Sequence, residues 1–177
     1  MKHRLFTAAV LSAGCTVIAA WLLGLHWNAS ASMPTGLYRT TALAAPPVRG
    51  DTVLFCLAGD AAVVGLQRGY LEAGACPGGS APLVKPIAAV PGDAVVIDQQ
   101  GVVVNGQSIP NSAPRAVDPS GRELSVAVPP GSYVVRQDSV WVVSGHDPRS
   151  YDSRYWGPLP VNAITGRAVP VLIGAAG

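Results

Sequence analysis

Residues 82–98 read PLVKPIAAVPGDAVVID and predict two short strands joined by a turn. The candidate strands, Leu83–Val90 and Ala94–Asp98, are rich in Val, Ile and Ala, and the Pro-Gly pair between them is typical of a turn. The same pattern of short apolar runs broken by Gly and Pro continues on both sides. These features predict a mainly β fold.

Further candidate strands alternate apolar with polar residues or are rich in Val. They are Gly36–Thr41, Thr52–Leu57, Gly101–Asn105, Leu124–Val128, Tyr133–Arg136, Val140–Ser144 and Ile164–Ile173. A short helix is expected near Ala61–Gln67. Two stretches, Gly59–Pro82 and Asn111–Gly131, are expected to leave the compact core, either as the rim of a site or as ordinary surface loops.

An apolar segment precedes this β-rich region. Leu5–Trp27 contains 23 residues without Asp, Glu, Lys or Arg. As a helix it would reach about 34 Å, which is enough to cross a bilayer core of about 30 Å. Lys2 and Arg4 precede it, so the N-terminus is predicted to stay in the cytoplasm.

The resulting topology is a single-pass inner-membrane protein with its C-terminal domain on the periplasmic side. Residues 1–27 would form the cytoplasmic start and the transmembrane anchor, and residues 28–177 the extracytoplasmic domain. The alternative is a cleaved secretory signal, because Ala29-Ser30-Ala31 has the small-x-small form of a cleavage site. Both interpretations place the domain outside the cytoplasm.

The charge distribution excludes one class of partner. The whole chain has 12 basic and 10 acidic residues. Both basic residues before Asn28 belong to the N-terminal end, so the remaining domain is neutral. A neutral domain lacks the basic surface that nucleic acid binding requires.

Two cysteines, Cys56 and Cys76, lie in the predicted extracytoplasmic domain. An oxidising compartment permits them to form a disulfide, and the alternative is two buried free thiols. Two cysteines and a distant histidine give no zinc pattern. No metal or cofactor is therefore expected.

Lys85 is the only lysine in the domain, where the other nine basic residues are arginines. Arginine keeps its proton in proteins, whereas a desolvated lysine can act as a general base. Apolar residues flank Lys85 on both sides and would disfavour its ammonium form. The alternative is a lysine at a strand end with its amine in water.

Ser32 lies in an irregular segment close to the expected membrane surface, before Pro34 and Gly36. A serine becomes a nucleophile when a base accepts its proton, and Ser–Lys pairs are one known arrangement. A polar stretch, 144–158, adds His146 and Asp152. A triad of Ser32, His146 and Asp152 is therefore the competing constellation.

Three ordered blocks resemble the signal peptidase I superfamily. They are Ser30-x-Ser32-Met33-Pro34, Lys85 followed by Val90-Pro91-Gly92-Asp93, and Ser150-x-Asp152-Ser153-Arg154-x-Trp156-Gly157. Further details resemble TraF-type conjugative-transfer peptidases, among them Gly36-Leu37-Tyr38-Arg39 and Cys76-Pro77-Gly78-Gly79. The sequence departs at Gly145-His146-Asp147, where signal peptidases usually have Gly-Asp-Asn.

The resemblance implies a signal-peptidase-like, β-rich catalytic domain. It implies Ser32 as the nucleophile and Lys85 as the general base. Ser30 would supply the oxyanion-hole hydroxyl beside the backbone N–H of Ser32. The supporting residues would be Ser150, which orients the lysine, and the pair Asp152 and Arg154.

The function expected from these features is that of a serine endopeptidase cleaving a precursor polypeptide after small residues beside the lipid bilayer. The substrate is expected to be a secreted or membrane-inserted protein, for example a conjugative pilin, with either cleavage or cyclisation as the outcome. The alternatives are a general signal peptidase and a non-enzymatic assembly protein of a secretion system.

Overall fold

The structure is a computed structural model that describes residues 23–28, 30, 32–124 and 126–174. The described residues form two antiparallel sheets and two short α-helices. In chain order the strands are β1 Leu25–Asn28, β2 Gly36–Thr41, β3 Thr52–Phe55, β4 Leu83–Ala89, β5 Ala94–Asp98, β6 Gly101–Val104, β7 Gln107–Ser108, β8 Gly131–Val134, β9 Ser139–Val142, β10 Leu159–Pro160 and β11 Ile164–Ile173. The helices are α1, Gly59–Gln67, and α2, Ser153–Trp156.

The larger sheet has the strand order β1-β2-β11-β3-β4-β9-β10. Strand β4 lies inside this sheet, and its first three residues, Leu83, Val84 and Lys85, are all buried. Lys85 is paired with Val53 of β3. This register places a lysine in the interior of the sheet, where its side chain is shielded from water.

The smaller sheet has the order β7-β6-β5-β8 and is connected to β4 by the turn at 90–93. The Asp93 carboxylate accepts hydrogen bonds from the Val90 N–H at 2.9 Å and from the Asn105 side chain at 2.8 Å. Inward-facing valines and Ile97 of this sheet share a core with Trp141 of β9. The turn thus fixes the smaller sheet against the end of the larger one.

Most predicted strands occur, and three of them, 36–41, 94–98 and 164–173, have the predicted bounds. The strand predicted at Leu124–Val128 is wrong. The backbone there bonds to a loop and a helix instead, since Leu124 N–H donates to the Ala116 carbonyl oxygen and Ala127 N–H donates to that of Tyr155 in α2. Local alternation is insufficient when no neighbouring strand is available for pairing.

Leu25, His26 and Trp27, the last residues of the predicted helix Leu5–Trp27, form part of a strand and not a helix. Leu25–Asn28 is a strand that pairs with β2, and Gly24 before it has a φ of 68°. Glycine adopts this left-handed conformation without steric cost, which lets the chain turn into the strand. Residues 5–22 lie outside the described part, and no helix within the described part is long and apolar enough to cross a membrane.

A disulfide joins Cys56, just after β3, to Cys76, 20 residues further along the chain. The loop that it closes carries α1 and part of the stretch 59–82. A cross-link of this kind stabilises the protein by reducing the conformational freedom of the unfolded chain. The disulfide therefore holds the base of this stretch beside the larger sheet.

Cys56→Ser combined with Cys76→Ser is expected to lower the free energy of unfolding by about 3 kcal/mol, the chain-entropy value for a loop of this length. Urea denaturation of the oxidised protein and the double variant measures the difference. Alkylation of unreduced, denatured wild-type protein is the control, and complete labelling of both thiols would contradict the prediction.

Candidate active site

The Lys85 side chain lies at the centre of the candidate site and is only 4% exposed. Its Nζ donates a hydrogen bond of 2.7 Å to Oγ of Ser150, which lies 65 residues away in the chain. The polar segment after β9 thus returns to β4 and supplies the partner of the lysine. This geometry gives the amine a fixed direction.

Burial lowers the pKa of Lys85 from 10.5 to about 8. Asp152 opposes this effect by favouring the charged amine, while Arg154 adds to the lowering. Desolvation disfavours an ammonium group because the interior solvates its charge poorly. A substantial fraction of Lys85 is therefore neutral at mildly alkaline pH and able to accept a proton.

A cleft of about 810 Å³ opens beside Lys85. Ser30, Ser32, Lys85 and Ser150 all line it. Among the hydrogen bonds of the described residues, none joins the Ser32 hydroxyl directly to Lys85. Contacts between catalytic groups are often long before substrate binds, so the shared cleft rather than a preformed bond is the relevant observation.

The segment that carries Ser32 is organised by the buried side chain of Asn28, the last residue of β1. Its Nδ2 is within 3.2–3.4 Å of the carbonyl oxygens of Ser30, Met33 and Pro34. Its Oδ1 accepts hydrogen bonds from the Ser30 N–H at 3.3 Å and from the Ser30 hydroxyl at 2.8 Å. One amide therefore fixes the backbone on both sides of Ser32.

Ser144, just beyond β9, holds the same segment from the opposite side. Its hydroxyl donates a hydrogen bond to the carbonyl oxygen of Ser32 and accepts one from the His146 N–H at 3.1 Å. Its backbone N–H donates to Asp152 at 3.0 Å. Ser32 is thus connected through Ser144 to the buried part of the polar segment.

Asp152 and Arg154 form an ion pair in which both side chains are fully buried. Arg154 Nε lies 2.8 Å from Oδ1 of Asp152, and Nη2 lies 2.9 Å from Oδ2. The guanidinium also donates to the carbonyl oxygens of Ser144 at 2.7 Å and Asn111 at 2.9 Å. The pair satisfies its own buried charges and connects three separate segments.

The competing triad is not assembled in the described residues, because no hydrogen bond joins the His146 ring to Ser32 or Asp152. The Asp152 carboxylate is occupied by Arg154 and Ser144 instead. Asp147 is paired with Arg149, whose Nη2 lies 3.0 Å from Oδ2. The hydrogen bond from the Arg149 side chain holds the pKa of Asp147 below its usual range.

Sequence reasoning missed Asn28 and Ser144 as contributors to the site. An Asn before an irregular turn is a common capping residue, and this was the available signal for Asn28. Ser144 carries no distinctive local pattern. Its contact with Ser32 depends on the pairing of β9 and β4, which brings residues 112 positions apart together.

Asn28→Ala is expected to lower kcat/KM for a peptide substrate by about 10- to 100-fold, since small displacements of a reacting group have effects of this size. The melting temperature is expected to fall as well, because the hydrogen bonds of a buried side chain are lost, so kcat/KM is measured well below the transition of the variant. Asn162→Ala, at an exposed position, is the matched control. Wild-type kinetics in Asn28→Ala would show that the segment is positioned without it.

Comparison with known proteins gives a consistent set of matches. The model of the family described as signal peptidase, peptidase S26, matches residues 1–173. A probable conjugal transfer protein TraF from Sinorhizobium fredii (strain NBRC 101917 / NGR234) is 41% identical over 162 residues, which cover 89% of this chain and 81% of that protein. A plasmid transfer protein TraF from Escherichia coli is 38% identical over 170 residues, covering 93% of this chain and 90% of the relative.

Among solved structures, a signal peptidase I from Enterococcus faecalis V583 is similar with a TM-score of 0.38 and 18% identity. The alignment covers 68% of this chain and 95% of that chain.

Proposed function

The chain belongs to the signal peptidase family, peptidase S26, and from this membership and the geometry of the cleft we propose that it is a Ser–Lys serine endopeptidase. Ser32 is the nucleophile and Lys85 the general base. The observation that carries the proposal is the buried amine of Lys85, which is bonded to Ser150 and lines the same cleft as Ser32.

The reaction is acyl transfer. Neutral Lys85 accepts the proton of the Ser32 hydroxyl as Oγ bonds to the scissile carbonyl carbon. When the tetrahedral intermediate collapses, the C–N bond breaks and Lys85 returns the proton to the leaving amine. Water, or an amine of the substrate, then attacks the acyl-enzyme and releases Ser32.

The oxyanion is stabilised by the Ser32 backbone N–H and the Ser30 hydroxyl. In the substrate-free cleft that hydroxyl donates to Asn28 Oδ1. It must therefore rotate towards the oxyanion, and Asn28 releases it while continuing to hold the surrounding backbone. The extended precursor lies against a strand edge, where main-chain hydrogen bonds supply binding.

We further propose that the substrate is a precursor in conjugative transfer, such as a pilin, cleaved after small residues. Relatives described as conjugal or plasmid transfer proteins support this proposal. The apolar N-terminal segment supports an inner-membrane anchor with the catalytic domain on the periplasmic side. Processing would then take place as the precursor emerges at the membrane surface.

Mass spectrometry of candidate pilins from cells with wild-type protein, with Ser32→Ala and with the exposed control Ser108→Ala tests the proposal. We expect shortened pilin in the wild type and the control, and unprocessed precursor in Ser32→Ala. Cyclisation would give a product one water lighter than hydrolysis. Normal maturation and normal plasmid transfer in Ser32→Ala would instead favour a non-enzymatic assembly protein.

A further inference from the structure

The two stretches that leave the sheets, termed the first excursion (Gly59–Pro82) and the second excursion (Asn111–Gly131), meet beside the cleft. The Tyr70 hydroxyl of the first donates to Asp118 Oδ2 of the second at 2.7 Å. In the opposite direction, Arg122 Nη2 donates to the Arg68 carbonyl oxygen at 2.9 Å. Side chains from both excursions therefore contribute to the contact.

Asp118 is the hub of this contact, and its side chain is 1% exposed. Besides Tyr70, its carboxylate accepts hydrogen bonds from the backbone N–H groups of Ser120 and Arg122 and from Arg122 Nε at 2.6 Å. The Arg122 guanidinium also lies 5.8 Å from the centre of the Tyr70 ring. We call Tyr70, Asp118 and Arg122 the clasp.

The clasp is part of the cleft that holds Ser32 and Lys85. Tyr70 and Asp118 line this cleft themselves, together with Leu71, Glu72, Arg115 and Leu124 from the same two excursions. One wall of the cleft is thus built from loops rather than from sheet. Within the described residues, the only isolated β-bridges outside the named strands join Ala73 to Ser80 and Val117 to Glu123. Each lies within one excursion, so neither connects the two.

The second excursion is also fixed to the segment that supports Lys85. The Tyr155 hydroxyl accepts a hydrogen bond from the Arg115 N–H at 3.1 Å, and its carbonyl oxygen accepts one from the Ala127 N–H at 2.7 Å. The clasp therefore ties the first excursion to a stretch that is already attached at α2. Without it, the first excursion would keep its disulfide, the hydrogen bond from the Arg68 side chain to the Glu123 carbonyl oxygen and that from the Tyr151 hydroxyl to the Ala61 carbonyl oxygen, but lose the contacts through Asp118.

We propose that the clasp determines substrate specificity, because it holds the two excursions together as one wall against which a long precursor binds. The proposal rests on the proposed peptidase function and names a substrate class for it. This class is an extended polypeptide that reaches past the residues next to the scissile bond. A short acyl group that occupies only the region of Ser32 and Lys85 would not contact the wall.

The charge of the clasp persists over the pH range in which Lys85 titrates. Burial alone would raise the pKa of Asp118, but the hydrogen bonds from Tyr70, Arg122 and Ser120 outweigh it and hold the pKa well below the usual carboxyl range. The effect of the clasp on binding is therefore independent of pH near neutrality. A substitution in the clasp should therefore leave the pH dependence of the reaction unchanged.

The test separates binding from chemistry by measuring peptide affinity in the Ser32→Ala background. Fluorescence anisotropy gives the Kd of a long labelled peptide and of a short peptide that spans only the scissile bond. Asp118→Asn and Tyr70→Phe are the clasp variants. Asp138→Asn is the matched control, because Asp138 is 75% exposed and pairs with an exposed arginine.

With the clasp loosened, the Kd of the long peptide is expected to rise about 10-fold, the equivalent of about one hydrogen bond to the peptide, while that of the short peptide stays constant. In the active enzyme, KM for the long peptide rises in parallel, and acylation by a small p-nitrophenyl ester keeps its rate and pH profile. The proposal is contradicted if the Kd of the long peptide is unchanged, or if the Kd values of both peptides rise by the same factor. If the wild type cleaves no peptide, the proposed peptidase function is wrong. The role of the clasp is still tested in that case, because the comparison of Kd values does not require cleavage.

Discussion

Lys85→Arg is expected to reduce peptide cleavage about 10⁴-fold, as completely as Lys85→Ala, because general-base catalysis contributes up to this order. Arginine preserves the positive charge and much of the length of the side chain. Its guanidinium does not lose a proton in proteins, so it cannot accept one from Ser32. The loss would therefore be chemical rather than electrostatic.

Steady-state cleavage of a quenched peptide, with circular dichroism to verify folding, measures this loss. His146→Ala is the matched control, since the His146 ring makes no hydrogen bond to Ser32 or Asp152 among the described residues, and it is expected to keep substantial activity. An active Lys85→Arg together with an inactive His146→Ala would replace the Ser–Lys mechanism by the triad.

The lowered pKa of Lys85 predicts how peptide cleavage depends on pH. In the proposed mechanism the neutral amine is the active form, so kcat/KM should rise with pH through a pKa of about 8. The stability effect has a definite sign as well. The folded-state pKa is below the unfolded value of 10.5, so the unfolded chain binds the proton more tightly.

Below about pH 8 the buried ammonium group therefore lowers the free energy of unfolding of the wild type relative to Lys85→Met. This destabilisation declines as the pH rises towards 10.5. The difference at neutral pH is about 3 kcal/mol on the scale of 1.36 kcal/mol per pKa unit. Urea denaturation of both proteins at several pH values provides this measurement without any enzymatic assay. A constant difference would show that Lys85 is solvated like an exposed lysine.

Arg154→Met is expected to destabilise the protein by about 3–5 kcal/mol, because it leaves the Asp152 carboxylate buried without its counter-ion. It also removes hydrogen bonds to the carbonyl oxygens of Asn111 and Ser144. Since Ser144 holds the carbonyl of Ser32, cleavage by the folded fraction should decrease too. Chemical denaturation and active-site titration measure the two effects separately.

Arg136→Met is the control, because the side chains of Arg136 and Asp138 are 81% and 75% exposed. Exposed pairs contribute at most about 1 kcal/mol. Replacing both buried partners, Asp152→Leu with Arg154→Met, should cost less than Arg154→Met alone, because no isolated charge remains. A change below 1 kcal/mol in Arg154→Met would indicate that water reaches Asp152.

The sequence predicted much of the β architecture, with particular success at 36–41, 94–98 and 164–173. These strands contain clear alternation or Val-rich runs and are bounded by well-defined turns. Both features depend only on residues that are close together in the sequence. It failed at 124–128, where the alternation is present but no strand in the described part of the chain pairs with it. It also assigned Leu25–Trp27 to a helix, although pairing with β2 makes these residues a strand.

The residues proposed to form the site were available from the sequence because they are chemically distinctive. Lys85 is the one lysine among nine arginines in the domain, and Ser32 lies in a motif that resembles a known family. Family membership then supports a serine peptidase. What the sequence by itself determined was thus the type of chemistry and most of the local backbone conformation.

Only the tertiary structure decided the environment of these groups. The burial of Lys85 and its bond to Ser150 depend on segments 65 residues apart, and the support of Ser32 depends on both Asn28 and Ser144. The clasp likewise joins two excursions whose sequences show no pattern relating them. Strand formation follows largely from local propensity, whereas desolvation and hydrogen-bond partners follow from how distant segments pack, which short-range patterns do not encode.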